Sequence, residues 1–150
     1  MAGLKTIGKI NALTAITKIK DGHAPQLRQA LEGLTAAAGG KIASLGTIHI
    51  VRWVIFDNDT RLLFATNFNG DVEAYMRDFA ERAPEGIDAI WGHCEGYPGA
   101  RDYPKLRDYI LGSAIETTGY YCAYPDATVQ DILKALDVKR KVDAFLDQLG

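Results

Sequence analysis

The chain has 150 residues, 47% of them hydrophobic and 24% charged, enough to bury one core and too few for two comfortable domains. Its 17 basic and 19 acidic residues are spread through the sequence, so no basic stripe can neutralise a row of phosphates and no nucleic-acid partner is expected. No apolar run approaches the roughly 20 residues that span a bilayer, Met1 to Lys20 carries interleaved lysines in place of a signal-peptide core, and Cys94 and Cys122 form no CxxC pair. A single cytoplasmic domain over residues 1-150, with two free thiols and no membrane partner, is expected.

Asn11 to Lys20, NALTAITKIK, interleaves β-branched with small and polar residues and closes on Asp21-Gly22, which predicts a first strand. From Pro25, Leu27, Ala30, Leu31 and Leu34 recur at helical spacing up to Gly39-Gly40, which predicts a helix. Thr47 to Asp57 and Arg61 to Phe68 are dense in β-branched, leucine and aromatic residues, and Asn58-Asp59 joins them as a hairpin. Asp71 is placed to cap a second helix with Val72, Tyr75, Met76, Phe79 and Ala80 on one stripe, ending near Pro84. A helical turn around Ile87 to Trp91, a turn-rich segment to Tyr103 and a short helix over Pro104 to Leu111 form an insertion. Glu116 to Tyr124, ETTGYYCAY, predicts a fourth strand by its aromatic density. Thr128 then opens a long amphipathic helix in which Val129, Ile132, Leu133, Leu136, Val142, Phe145, Leu146 and Leu149 are expected to keep one stripe.

Without the insertion and the last helix the order is β-α-β-β-α-β, the ferredoxin-like arrangement: an α+β fold with an antiparallel sheet and helices on one face. Val51, Trp53 and Ile55 share one face of the second strand, and Ile50, Arg52, Val54 and Phe56 the other. Neither set is polar enough for bulk water, so both faces are expected to be covered, the second by a homodimer partner or by the C-terminal helix.

The strings IHIVRWVIFD, RLLFATNFNG and HCEGYP resemble a bacterial family of the dimeric α/β-barrel group, and the resemblance runs from the first strand to the final helix. It implies a ferredoxin-like dimeric barrel. The wider group includes haem-binding dye-decolourising peroxidases and chlorite-dismutase-like proteins, cofactor-free monooxygenases and small-molecule lyases. The GxxDG string of the dye-decolourising peroxidases is absent here, which counts against direct membership.

His93, in the loop His93-Cys94-Glu95 between Gly92 and Gly96, is the first candidate for a general base or haem ligand, against the plainer role of a turn-stabilising hydrogen bonder. Arg52 is the second, because a charge inside so apolar a strand needs a partner or a polar cavity. Thr14, Thr66, Tyr120 and Cys122 are expected around it, with Tyr120 as an acid or base, and an interface ion pair is the alternative. His49, on the opposite parity, is expected as an edge or core histidine, or beside a cofactor. No metal site is expected, since zinc ligands at spaced positions are missing. The hydrolase, P-loop and dinucleotide motifs GxSxG, GxxxxGK and GxGxxG are missing too.

Three functions stay open. One is an oxidative enzyme or binder for a flat apolar small-molecule ligand, with haem as possible cofactor, held by His93, His49 and Arg52. The second is a cofactor-free monooxygenase or cyclase acting on an aromatic substrate. The third is a non-catalytic dimeric binding module.

Overall fold

A computed structural model describes residues 3–37 and 39–150. Met1 and Ala2, at the head of the Met1–Lys20 stretch, and Ala38, in the alanine-rich tail of the first helix, lie outside the described residues. The chain opens with a hairpin, β1 (Leu4–Ile7) and β2 (Ile10–Lys18), of which β1 was not expected. Gly8 makes the turn at φ +57, where a Cβ would come within 2.5 Å of the Pro125 carbonyl oxygen, so the position admits no side chain. Helix α1 (Ala24–Ala36) starts on Pro25, whose missing N–H costs nothing in a first turn.

After a 3-10 turn at Gly40–Leu45 come β3 (Ile48–Phe56) and β4 (Arg61–Asn69). Asp57, Asn58 and Asp59 in their turn all have positive φ, a conformation that Asp and Asn tolerate best among residues with a Cβ. Asp71 caps α2 (Val72–Arg82) by accepting from the Ala74 N–H. Helices α3 (Pro84–Trp91) and α4 (Tyr103–Gly112) follow, then a two-residue strand β5 (Ala114–Ile115) and α5 (Val129–Gln148).

The sheet is antiparallel, in the order β1-β2-β4-β3, with β5 also on β2. The expected fourth strand is not formed over Glu116 to Tyr124. β1 already occupies the edge of β2 opposite Ile10 to Leu13, so β5, which pairs Ala114 with Ala15 and Ile115 with Thr14, finds its next partner taken. The β-prone segment after Ile115 instead crosses the molecule without regular pairing, tied down where the Lys9 N–H donates to the Pro125 carbonyl (2.7 Å).

One core joins Leu13 and Ala15 of β2, Leu62, Phe64 and Phe68 of β4 and the half-buried Val51, Trp53 and Ile55 of β3 to the inner faces of α1 to α4. Phe64 and Trp91 meet edge to face at 4.9 Å, and Phe68 stacks on Tyr75 at 3.9 Å. The opposite face is not covered along β3: Ile50 is 62% exposed and Val54 42%. Of the two covers expected, a partner copy or the C-terminal helix, the helix does not serve within this chain, because α5 buries none of its residues. It is attached at its root, where the Val129 N–H donates to Asn69 Oδ1 and Gln130 Nε2 to the Gly46 carbonyl.

Nor does α5 keep a single stripe. At 3.6 residues per turn, Ile132, Leu133 and Leu136 centre on one side of the inner half, and Val138, Val142, Phe145, Leu146 and Leu149 centre about 140° round on the outer half. The seven side chains from Leu133 outward are between 49% and 69% exposed. No helix among the described residues is long and apolar enough to cross a membrane.

Candidate functional site

His93 follows the end of α3, and its Nδ1 lies 3.1 Å from Nδ1 of His23, the residue that precedes α1. The ring centroids are 5.3 Å apart, so the two nitrogens lie close to the line joining the rings, lone-pair direction toward lone-pair direction. That is the geometry of one N–H···N hydrogen bond with a shared proton. Converging lone pairs on a common metal would draw the rings closer at this nitrogen separation. No cluster of three or more His, Cys, Asp or Glu able to hold a metal occurs among the described residues.

The pair sits on a stitched seam. Ile19 bridges Cys94, the Lys20 N–H donates to the His93 carbonyl (2.9 Å), the Glu95 N–H donates to the Lys18 carbonyl (2.8 Å), and Lys20 Nζ donates to the Gly92 carbonyl. Burial, then His23, then Lys20 disfavour the imidazolium, so His93 is held below its ordinary value. Cys94 is fully buried, accepts from Thr17 Oγ1 (3.3 Å), and burial pushes its thiol up, the reverse of what a nucleophile needs.

Arg52 is exposed on the helix-free face, in a cross-strand row with Ala65, Thr14 and Ile115, and makes no ion pair among the described residues. Thr14 is therefore where the parity of the strands put it. Thr66 is not: it faces the helices, is buried, and accepts a hydrogen bond from Tyr75 Oη (2.8 Å). Tyr120 comes to the helix-free face, where Asn67 Nδ2 donates to its oxygen (3.3 Å), and burial followed by Cys122 raises its phenol. His49 occupies an irregularity in β3 and places Nε2 3.0 Å from Asn69 Oδ1, the same oxygen that anchors α5.

These residues do not converge. His93 adjoins Ile19 at one end of β2, while His49 adjoins Asn69, which pairs with Ile10 at the other end, nine residues or about 30 Å along the strand. The void in the core beside Phe64 and Trp91 amounts to about 10 Å³, no room for a ligand. Larger spaces are open grooves. Two adjoin between α1 and β3, the strand at the end of the sheet: one of about 590 Å³ with Leu31, Thr35, Trp53 and Ile55, the other of about 390 Å³ with Leu34, Val51 and Arg52. A third, about 440 Å³, lies beside the root of α5 at Asn11, Asn69 and Thr128. His93 lines none of the three.

Two polar clusters were not foreseen. Glu73 receives Tyr103 Oη (2.5 Å) and the Arg107 guanidinium, fastening α2 to α4, and burial and Glu73 push the Tyr103 phenol up to about 12. Asp88 accepts from Tyr97 Oη (2.6 Å) and from the Ala100 N–H, closing the loop after α3. Both are structural fastenings, the first between residues 30 or more positions apart and the second across 9 to 12, and no local motif announces either. Comparison with family models, with curated proteins and with solved structures found no match to this chain.

Proposed function

We propose that this chain is a dimeric binding module, the non-catalytic reading, whose apolar surface is covered by a second copy. The observation that carries it is α5: twenty residues of helix rich in leucine, valine and phenylalanine, with none buried in its own chain. Most helical stability in proteins comes from tertiary packing of an apolar face, so a helix that touches its own chain only at its root calls for a partner. The exposed apolar side of β3 supports the same reading. A ferredoxin-like dimeric barrel is the arrangement we favour for the body, and its support is the sheet order, in which β2 lies between β4 and β5.

Magnitudes agree with this. Fully burying a leucine, valine or phenylalanine side chain is worth about 1.5–3 kcal/mol. The five of the outer patch, already about half covered, leave roughly 4–7 kcal/mol per helix. Association costs on the order of 4–15 kcal/mol. One helix is marginal against that cost, and two used reciprocally exceed most of the range.

Enzymatic readings have less support, since His93, His49, Arg52 and Tyr120 share no cavity. The test is sedimentation of the full chain alongside haem titration. A dimer with no Soret band is expected. A chain that stays monomeric at every concentration sinks the module reading, and a Soret band lost in His93→Ala restores the oxidative one.

A further inference from the structure

The geometry points to an exchange of arms between two copies of this chain, in which the outer half of α5 of one copy lies in the groove between α1 and β3 of the other. This rests on the dimeric reading above and adds the mode of association. The outer patch is convex and apolar: Val138, Val142, Phe145 and Leu149 recur at spacings of four, three and four residues over about 17 Å of helix. The groove is shallow, with an apolar floor of Leu31, Leu34, Val51, Trp53 and Ile55 and polar residues among its lining, and runs along α1, whose 13 residues span about 20 Å. Each chain carries one arm and one groove, so reciprocal docking closes on a two-fold axis and leaves neither surface over.

Two further observations favour the groove over a pair of α5 helices zipped together. The inner and outer patches of α5 lie about 140° apart, so the helix offers no continuous apolar seam along which two copies of it could zip together. In the groove the arm also covers the nine-residue free edge of β3, and a covering helix is one of the ways in which proteins protect such an edge. Charge fits as well. Lys134 flanks the outer patch, Glu32 and Arg52 line the groove, none of the three has an ion-pair partner among the described residues, and docking can set Lys134 against Glu32. α5 itself has four acidic and four basic residues, a balance that gives it no net attraction to anionic lipid.

The experiment uses two variants of the full chain, each followed by sedimentation velocity, with the near-ultraviolet tryptophan signal as the check on folding. The arm variant carries Val142→Asp and Phe145→Asp, at positions that bury nothing in their own chain. The groove variant carries Thr35→Arg and Ala36→Arg, both exposed on α1. Each variant alone is expected to be a folded monomer. A one-to-one mixture is expected to recover a heterodimer weaker than the wild-type dimer, because the arm of the groove variant meets the intact groove of the arm variant. A groove variant that stays dimeric, or a mixture that stays monomeric, overturns the exchange and leaves the dimeric reading standing. A monomeric wild type overturns both, as does a monomeric wild type that binds phosphatidylserine vesicles through Phe145.

Discussion

His93 is held with its Nδ1 3.1 Å from Nδ1 of His23 and near Lys20, and burial first, then these two neighbours, disfavour a positive charge on its ring. His93 is thus held below 6.5 in the fold, burial being the largest cause, whereas an unfolded chain takes up the proton near 6.5. Unfolding binds protons in the window just below that value, so stability falls as pH drops through it and is fully present above it. Denaturant midpoints on either side of 6.5 should show this loss in the wild type and a flatter dependence in His93→Gln. An equal slope in both would dismiss the pair as a titrating element. The sequence made His93 conspicuous through its glycine neighbours, but its partner lies 70 positions away on another loop, and nothing local marks His23. Arg52 and Thr14 were placed correctly by strand alternation. Thr66 was not, because the register sets Ala65 opposite Arg52, and one residue of slip moves a side chain to the other face.

Elements with strong internal patterns were legible. The stripe of Val72, Tyr75, Met76, Phe79 and Ala80 is the buried face of α2, and Thr128 caps α5 in a reciprocal box with Asp131. Elements decided by competition were not. ETTGYYCAY has the composition of a strand, yet β1, four residues that no pattern singled out, takes the edge first. β3 keeps a free edge for its whole length, and Arg52 is the one charge within it. Arg52→Ile should therefore raise light scattering on warming relative to the wild type, and unchanged scattering would show that the arginine does not guard the strand. Because α5 leans on its caps and on surface pairs such as Lys139 with Asp143, its amides should exchange with deuterium faster than those of β2 and β4 in dilute solution. They should slow as concentration rises. Slow exchange at all dilutions would mean that the helix finds its support within one chain.

For the whole molecule, an arm that binds only in the assembled state ties stability to protein concentration, since whatever binds the native form alone stabilises it by mass action. Unfolding temperatures of the wild type should climb with concentration, and those of the Val142→Asp, Phe145→Asp variant should not. The hairpin turn at the start of the chain has a share in this. At Gly8 the backbone passes so near Pro125 that a single methyl group has no place to go. The β1–β2 hairpin and the segment that leads into α5 are thus latched to each other through a gap one hydrogen wide. Gly8→Ala is expected to spring that latch, freeing the tail that carries Tyr120 and α5, so that a lesion near the N-terminus reproduces the phenotype of damage at the C-terminus.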